Sequence, residues 1–254
     1  MTDFAPLASR LTGELLTPDD TGFEDSTAGF NSAIVHRPDA VVLPADEDDV
    51  VETVRFARAE GLPVRVVATG HGGTVGYTHG IVLAMQELNE VSIDADARTA
   101  TFGGGTPWGL VTAAAARHGL APIVGSSPTV GAVGYLLGGG IGPLARSHGI
   151  SSDYLRSLRV VTGEGEAVTA SPDEHPDLFW ALRGGKGGLG VVVEATVALV
   201  ELSTIYGGTM FFDIADAEAV IGGWIAWGHD ADPRVTSSLA VMKLPDLEQV
   251  PAPS

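Results

Sequence analysis

A histidine stands among glycines where an apolar run ends, in the segment VRVVATGHGG that begins at Val64. The run VRVVA has the pattern of a strand, and it is followed by Thr69, Gly70, His71, Gly72 and Gly73. Glycine lets the backbone approach a bulky group closely, and exposed backbone N–H groups in such a loop can bind an anion such as a diphosphate. Taken alone, His71 would be interpreted as a loop histidine. The other six histidines lie beside turns or helix ends, where solvated surface positions are expected.

Two further glycine-dense stretches are similar to nucleotide-binding motifs, but neither has the required context. Residues 185–190 read GKGGLG and match G-x-G-x-x-G. They follow a predicted helix and precede a predicted strand, which is the reverse of the dinucleotide fingerprint. Residues 138–143 read GGGIGP and lack the Gly-Lys-Ser/Thr ending of a nucleotide-triphosphate loop. We therefore reject a nicotinamide-binding Rossmann site and interpret both stretches as loops that end a helix or let a ligand approach the backbone.

Other common catalytic and metal-binding patterns are absent from the sequence. The histidines show no HExxH spacing and no acidic cluster typical of a metal site, and no Gly-x-Ser-x-Gly elbow supports a serine hydrolase. Cysteine is absent, which excludes disulfides and thiolate metal sites and fits a cytoplasmic protein. We therefore predict no metal ion.

The net charge of the chain limits the classes of partner that it is expected to bind. Lys and Arg total 14 and Asp and Glu total 32, so the formal net charge is −18. Such a surface repels nucleic-acid phosphates and anionic lipid headgroups. No apolar run approaches the length of a membrane span, and the first residues lack the pattern of a secretory signal. We expect a small-molecule ligand, no nucleic acid and no membrane.

Strand and helix patterns alternate through the middle of the chain. A strand at residues 41–43, a helix capped by Asp46 and ended by Gly61, and a strand at 64–68 predict a parallel pair joined by a helix. The remaining predictions are helices at 6–16, 108–118 and 172–185, hairpins around 94–97 and 163–165, a strand at 81–84 and a long strand at 189–202. This mixture predicts an α+β architecture.

Three regions are expected along the chain. Residues 1–33 form a helix and a polar arm, residues 34–202 form the main domain, and residues 203–254 begin a second domain in the order strand, helix, strand. Tyr206, Trp224 and Trp227 are expected to pack in that domain's core. Its apolar strands, around 210–212 and 238–242, would be exposed in the isolated chain, which predicts self-association.

Three segments together carry a family resemblance. They are FNSAIVHRPDAVVLPADEDDVVETVRFARAEGLPVRVVATGHG, GSSPTVGAVGYLLGGGIGPLARSHGISSDYLRSLRVVTGEGEAV and DLFWALRGGKGGLGVVVEATVAL, in the family's order and spacing. The combination resembles the flavoprotein oxidases with a vanillyl-alcohol-oxidase or p-cresol-methylhydroxylase (PCMH) type FAD domain, in their berberine-bridge-enzyme-like branch. The resemblance implies a PCMH-type FAD-binding domain of two α/β subdomains, followed by the start of an antiparallel-sheet substrate domain.

The resemblance also assigns roles to residues. It implies that the loop of residues 69–73 cradles the FAD diphosphate on backbone N–H groups, with glycines at 70, 72 and 73 leaving room for the cofactor. His71 falls on the position that bonds covalently to the 8α-methyl carbon of the flavin. Further implied cofactor-binding residues are Ser127, Thr129, Val130, Gly134, Gly138, Gly139, Gly142, Asp153, Gly190, Val191 and Val192. Some relatives form a second bond through a cysteine where this chain has Ser127, so one covalent bond is expected.

The implied chemistry is that of an FAD-dependent oxidase. A hydride passes from a C–H bond of a small organic substrate to the flavin, and dioxygen is the expected acceptor. The covalent imidazole would raise the flavin potential and prevent loss of the cofactor. Where relatives often have Asn-Phe-Gly, this chain has Gly188-Leu189-Gly190, so contacts of that asparagine side chain are replaced at best by backbone contacts.

The sequence leaves the substrate and the catalytic base open. Relatives continue beyond the end of this chain, and their base-bearing and substrate-lining positions lie largely in that part, so no base is assigned. Alcohols, sugars, phenols and alkaloid-like amines all stay open as substrates. Two alternatives also stay open: a flavin-binding remnant without turnover, and an NAD(P)-dependent enzyme, against which the misplaced G-x-G-x-x-G argues.

Overall fold

The computed structural model describes residues 2–242. The helices in this range are α1 (Ala5–Ala8), α2 (Phe23–Thr27), α3 (Glu47–Glu60), α4 (Trp108–Ala116), α5 (Ala132–Leu136), α6 (Ala145–His148), α7 (Pro176–Leu182) and α8 (Ala217–His229). The strands are β1 (Glu14–Leu16), β2 (Ala40–Leu43), β3 (Val64–Val67), β4 (Ile81–Ala84), β5 (Val91–Asp94), β6 (Thr99–Gly103), β7 (Leu120–Ala121), β8 (Leu155–Val161), β9 (Ala167–Ala170), β10 (Val191–Ala198) and β11 (Val200–Glu201). Short 3-10 turns lie at Met85–Glu87, Ser151–Tyr154 and Ile214–Asp216.

Internal contacts divide the chain into two units. The first contains residues up to 142 together with 150–203, and the second contains 143–149 together with the described residues from 204 onwards. The predicted N-terminal arm therefore packs within the first unit. Residues 243–254 of the expected second domain lie outside the described residues, and the predicted domain boundaries stay a prediction.

The first sheet has the strand order β1-β2-β4-β3. Strands β2 and β3 each pair parallel with β4, and β1 pairs antiparallel with β2. The strand–helix–strand prediction is confirmed in its elements, because α3 begins at the predicted cap Asp46, whose carboxylate accepts the Asp49 N–H, and ends at Gly61 with φ of 68°. The two strands of that unit are parallel but not adjacent, since β4 lies between them. Strand order depends on long-range pairing, which the local pattern does not contain.

The second sheet is antiparallel, in the order β5-β6-β10-β8-β9. Both predicted hairpins form, as β5 pairs with β6 and β8 with β9. Helices α4, α5 and α7 supply apolar side chains to the core on this sheet, including Trp108, Leu136 and Leu182. The two-subdomain α+β architecture expected from the resemblance is thus present.

The two sheets share a hydrophobic cluster. It joins α3 and the first sheet, through residues such as Val50 and Ile81, to Val161 of β8 and Val193 of β10. A two-bond ion pair reinforces the junction: the Arg159 guanidinium of the second sheet donates to both carboxylate oxygens of Glu47 at the start of α3, at 2.6 and 2.9 Å. These contacts fix the first sheet against the second within the first unit.

The N-terminal helix is shorter than predicted. The prediction of a helix over residues 6–16 is wrong after Ala8, because the chain turns and enters β1. Backbone N–H groups of Thr12 and Gly13 donate to the Asp49 carboxylate at 2.7 and 2.8 Å instead of continuing helical bonds. Asp49 is 2% exposed and also accepts the Ala45 N–H at 2.8 Å. A distant buried carboxylate therefore overrides the local helical pattern.

The second unit differs from its predicted form within the described residues. Residues 204–242 contain α8 and a 3-10 turn, and the strands expected around 210–212 and 238–242 are not formed. A strand requires a neighbour for its backbone N–H and C=O groups, and no described part of this unit supplies one. The prediction that Tyr206, Trp224 and Trp227 pack in a core is also wrong here, because all three are exposed.

Candidate functional site

The loop after β3 holds His71 in a defined position. The Nδ1 atom of its ring lies 2.9 Å from the Thr69 hydroxyl oxygen, and that oxygen accepts the Gly131 N–H at 3.0 Å. The Nε2 atom lies 3.3 Å from the Thr129 hydroxyl, which lies 3.0 Å from the Ser127 hydroxyl. The structure thus brings four of the predicted site residues, from loops about sixty residues apart in sequence, into one hydrogen-bonded chain.

A residue of the N-terminal arm covers the imidazole. The ring of Phe30 stacks on His71 with 4.0 Å between ring centroids and 10° between ring planes. The Phe30 N–H donates to the Thr69 carbonyl at 2.9 Å, which anchors the arm to the loop. Sequence reasoning missed Phe30, because no local signal marks a contact between two loops so far apart in the chain.

Gly70 is required by the close approach of the arm's backbone. Its φ is 71°, and an added Cβ would lie 2.5 Å from the Gly29 Cα and 3.2 Å from the Phe30 nitrogen. The missing side chain of Gly70 therefore leaves room for the protein's own backbone, and its contact with the cofactor stays a prediction. An added Cβ on Gly73 would lie 3.4 Å from the Gly70 carbonyl oxygen, which is an ordinary van der Waals contact.

The second glycine stretch surrounds α5. This helix begins beside α4, where the Ala132 N–H donates to the Thr106 carbonyl at 2.8 Å and the Trp108 N–H donates to the Val130 carbonyl at 3.0 Å. Gly139 has a φ of 94° and accepts the Ser152 N–H at 2.9 Å. Gly142 packs against the Val124 carbonyl, where no side chain would fit. Val130, Gly134, Gly138, Gly139 and Gly142 thus lie along one connected turn–helix–turn.

One tyrosine side chain packs under the glycines of this stretch. Tyr135 of α5 lies beneath Gly140, where an added Cβ would lie 2.6 Å from the tyrosine ring. Its ring also meets Trp108 edge-on at 6.0 Å. Burial raises the pKa of the Tyr135 phenol. The phenol therefore stays protonated at neutral pH and supports the loop as a neutral group.

The third glycine stretch, residues 184–190, reaches both of the others through Lys186. The Lys186 N–H donates to the Leu137 carbonyl at 3.0 Å, and a Cβ on Gly72 would lie 3.1 Å from the Lys186 ammonium nitrogen. Lys186 adopts a φ of 61°, in the left-handed region that non-glycine residues rarely enter. Sequence reasoning missed this lysine, although it occupies a variable position of the G-x-G-x-x-G match.

Four further predicted residues have partners inside the protein. The Asp153 carboxylate pairs with the Arg183 guanidinium at 3.0 Å, at a surface depression that the exposed Trp180 also lines. Val191 and Val192 begin β10 and bury their side chains in two different hydrophobic clusters. Backbone atoms are therefore what these two valines could offer a ligand. Gly190, with a φ of 133°, packs against Val160 and Val161.

His36 is the histidine whose predicted position is wrong. It was expected on a solvated surface, yet it is 8% exposed, and its ring stacks on Tyr77 at 4.5 Å. Its Nδ1 accepts the Tyr77 N–H at 3.2 Å, which ties the segment after Gly73 to the arm. Burial lowers the pKa of His36.

Three glycines of the predicted loops have either open space or only the end of a flexible side chain where a Cβ would lie. Gly134 and Gly187 lie outside the left-handed region, and an added Cβ at either would meet nothing within 4 Å. At Gly72 the neighbour is the mobile end of a lysine side chain. Neither conformation nor packing within the described residues requires glycine at these three positions, so the backbone there is open to a ligand. A diphosphate-containing cofactor such as FAD fits this arrangement, since backbone N–H groups bind phosphate without side chains.

Two classes of site find no support in the described part of the chain. No group of three or more His, Asp or Glu side chains among residues 2–242 could hold a metal ion. Within the same residues, no helix has the length and apolar character needed to cross a membrane.

Comparison with known proteins identifies the class. Residues 38–171, more than half of the chain, match the model of the FAD binding domain. The (R)-6-hydroxynicotine oxidase of Paenarthrobacter nicotinovorans is 37% identical over 194 residues, which cover 76% of this chain and 42% of that protein. Fold and sequence therefore define an FAD-binding domain of the kind found in FAD-linked oxidoreductases.

Solved structures agree with this class. The 6-hydroxy-D-nicotine oxidase of Arthrobacter nicotinovorans aligns with a TM-score of 0.72 and 35% identity over 78% of this chain and 44% of that one. Glucooligosaccharide oxidase of Acremonium strictum is described with a 6-S-cysteinyl, 8α-N1-histidyl FAD. It aligns with a TM-score of 0.70 and 31% identity over 77% of this chain and 42% of that one. The berberine-bridge-enzyme-like protein 1 of Physcomitrella patens aligns with a TM-score of 0.71 and 25% identity over 79% of this chain and 45% of that one.

The chain belongs to the FAD-binding domain family of FAD-linked oxidoreductases, as its resemblance to the berberine-bridge-enzyme-like branch predicted. It spans 42% of the length of the curated relative quoted above and 42–45% of the lengths of the three solved chains. The expectation of FAD as cofactor is thereby confirmed.

Proposed function

We propose that this chain is the FAD-carrying part of an oxidase, that it holds FAD covalently through His71, and that it oxidises a small organic substrate with dioxygen as the acceptor. The observation that carries this proposal is the convergence of three glycine loops on one restrained histidine. FAD, when bound, accepts a hydride from a C–H bond and returns the electrons to the acceptor. The names of the relatives, which are oxidases of small molecules, support the reaction type.

Different residues of this chain would bind different parts of the cofactor. Backbone N–H groups of the loop from Gly70 to Gly73 would bind the diphosphate, and the Lys186 ammonium beside Gly72 would offset part of its charge. This local device matters because the protein as a whole has a net charge of −18 and would otherwise repel an anionic cofactor. His71 would supply the bond that prevents dissociation.

One covalent bond is proposed and not two. In this chain Ser127 stands where some relatives have a second, cysteine attachment, and its hydroxyl is bonded to Thr129 at 3.0 Å. A serine hydroxyl is a weak nucleophile at neutral pH without an adjacent base, and no carboxylate contacts Ser127 in the described part of the chain. By contrast, the FAD of the glucooligosaccharide oxidase is described as both cysteinyl and histidyl.

The first experiment asks whether flavin stays with the unfolded polypeptide. The purified protein is denatured and separated from small molecules, and flavin fluorescence is measured in the polypeptide fraction. We expect fluorescence in the unaltered chain and none in His71→Ala. His79→Ala is the matched control, because His79 is an exposed histidine on the same loop, and this variant should retain the flavin.

The outcomes separate the parts of the proposal. Flavin that leaves both the unaltered chain and His79→Ala on denaturation would keep the family assignment but contradict covalent attachment. Flavin retained by His71→Ala would place the bond at another residue. Circular dichroism of each variant establishes that any loss of flavin does not reflect loss of the fold.

A further inference from the structure

The arm lies along the loop that carries His71. At one end, the Phe30 N–H donates to the Thr69 carbonyl at 2.9 Å. At the other end, the Arg37 N–H donates to the Tyr77 carbonyl at 2.6 Å. Hydrogen bonds at both ends therefore fix the arm against the loop, and the backbone position of Phe30 is fixed with it.

Contacts of two kinds hold the His71 imidazole. Its ring nitrogens lie 2.9 Å from the Thr69 hydroxyl oxygen and 3.3 Å from that of Thr129. Hydrogen bonds to ring nitrogens lie close to the ring plane, so they restrain rotation of the ring within that plane. The Phe30 ring lies nearly parallel to the imidazole, with 4.0 Å between ring centroids and 10° between ring planes, so it restrains the tilt of that plane.

Core packing does not account for the position of the Phe30 side chain. Phe30 is 72% exposed, and it belongs to none of the hydrophobic clusters formed by the described residues. Such an exposed position gives a large apolar side chain little benefit from burial. The stack on His71 is the ring contact that the structure gives it within residues 2–242.

The plane of the imidazole determines where a bond to the ring can form. The lone pair of an unprotonated ring nitrogen lies in the ring plane, and attack on a carbon requires that this lone pair points at the carbon. A tilt of the ring turns the lone pair away, and misplacement by about 1 Å can slow a reaction roughly a hundredfold. A side chain that fixes the tilt therefore affects the reaction rate without touching the reacting carbon.

We propose that Phe30 is a positioning residue, which holds the plane of the His71 imidazole in the orientation that covalent attachment of the flavin requires. This inference rests on the proposed covalent attachment at His71. It applies equally to both ring nitrogens, because both lie in the plane that Phe30 restrains.

The attachment step balances with dioxygen as the oxidant. Formation of the bond between the imidazole and the 8α-carbon removes one hydrogen from the imidazole and one from the methyl group. The corresponding two electrons and two protons reduce one dioxygen molecule to hydrogen peroxide. Phe30 takes no part in this exchange, so its replacement should change the rate of attachment and not the product.

The first test compares two substitutions of Phe30. Phe30→Leu keeps an apolar side chain but removes the aromatic ring, whereas Phe30→Tyr keeps the ring and adds a hydroxyl that can reach water at this exposed position. Each purified apoprotein is incubated with FAD in air, and polypeptide-bound flavin is followed over time after denaturation. We expect Phe30→Leu to attach flavin roughly three- to tenfold more slowly, the factor that corresponds to the loss of one aromatic contact, and Phe30→Tyr to attach it at close to the rate of the unaltered chain. Equal rates in Phe30→Leu and the unaltered chain would overturn this inference alone.

A second test separates positioning of His71 from direct contact with the cofactor. In a His71→Ala background the proposed bond cannot form, so the dissociation constant of FAD is measured at equilibrium by quenching of flavin fluorescence. Addition of Phe30→Leu to this background should change the dissociation constant by no more than about twofold, because the imidazole through which Phe30 acts is absent. A loss of affinity as large as the loss of attachment rate would show that Phe30 binds the cofactor itself, which would overturn the inference.

A third measurement needs no variant. In NMR spectra of the unaltered apoprotein at alkaline pH, the ring protons of His71 should appear upfield of those of the exposed His79, because the ring current of Phe30 shields protons over its face. Matching chemical shifts for the two histidines would overturn the inference even if Phe30→Leu failed to fold. An unaltered protein that releases all its flavin on denaturation contradicts the covalent proposal itself and overturns this inference with it.

Discussion

Replacement of Gly70 by alanine tests how the arm and the histidine loop are joined. Gly70 has a φ of 71°, and its Cβ would lie 2.5 Å from the Gly29 Cα. The left-handed conformation costs a residue with a Cβ roughly 1–2 kcal/mol. Overpacking against atoms that cannot easily move costs roughly 1–3 kcal/mol more. Gly70→Ala should therefore lower the free energy of unfolding by about 2–5 kcal/mol.

Gly61→Ala separates the two contributions. Gly61 ends α3 with a φ of 68°, nearly that of Gly70, but an added Cβ there would meet nothing within 4 Å. This variant carries the conformational cost alone, roughly 1–2 kcal/mol. The difference between the two variants therefore measures the contact between Gly70 and the arm.

Urea unfolding followed by circular dichroism supplies both free energies. With the slope usual for urea, the extra destabilisation of Gly70→Ala corresponds to a midpoint lower by roughly 1 M than that of Gly61→Ala. Equal midpoints for the two variants would refute the close approach of Gly29 to Gly70. The same samples show whether a displaced arm, which carries Phe30, also reduces flavin attachment.

Two further predictions concern single residues of the same region. Because burial lowers the pKa of His36, the unfolded chain binds a proton more readily than the folded one, so the stability that His36 contributes is present above its unfolded pKa of about 6.5 and decreases as the pH falls below that value. His36→Asn, which can still accept the Tyr77 N–H without titrating, should show a smaller loss of unfolding free energy from pH 6.5 to pH 5, measured by urea titration at each pH. Lys186→Gly should raise the free energy of unfolding by about 0.5–1 kcal/mol, because glycine relieves the φ of 61° at a smaller cost in chain entropy.

Each of these predictions has its control. The carboxylates titrate alike in the unaltered chain and in His36→Asn, so identical pH slopes in the two proteins would contradict the role of His36. Lys186→Ala removes the same charge but keeps a Cβ in the left-handed conformation. Stabilisation of Lys186→Ala equal to that of Lys186→Gly would show that backbone strain is not the cause.

Much of the first unit could be predicted because its signals are local. Asp46 and Gly61 bound α3 by capping and by a left-handed turn, and both hairpins follow from their turn residues. The insertion of β4 between β2 and β3 could not be read in this way, since it depends on which strands meet after folding. The end of α1 depends on a carboxylate at Asp49, far along the chain.

The candidate site, too, could be predicted from the sequence only in part. The motif around His71 and the family resemblance identified the three loops, but the sequence could not show which atoms hold the imidazole. Thr69 was predicted as a cofactor contact, which stays a prediction, and the structure adds its bond to His71. Phe30 and Lys186 contact residues of other loops. These contacts depend on the tertiary structure, so no periodic pattern in the sequence predicts them.

The junction between the two sheets has a consequence for how a cofactor enters. Arg159 donates two hydrogen bonds to Glu47, and one hydrophobic cluster contains side chains from both sheets. A hinge that swings the sheets apart would have to expose that cluster to water and break the ion pair together. Any rearrangement on cofactor binding is therefore expected in the loops and in the arm that carries Phe30, and not in the arrangement of the two sheets.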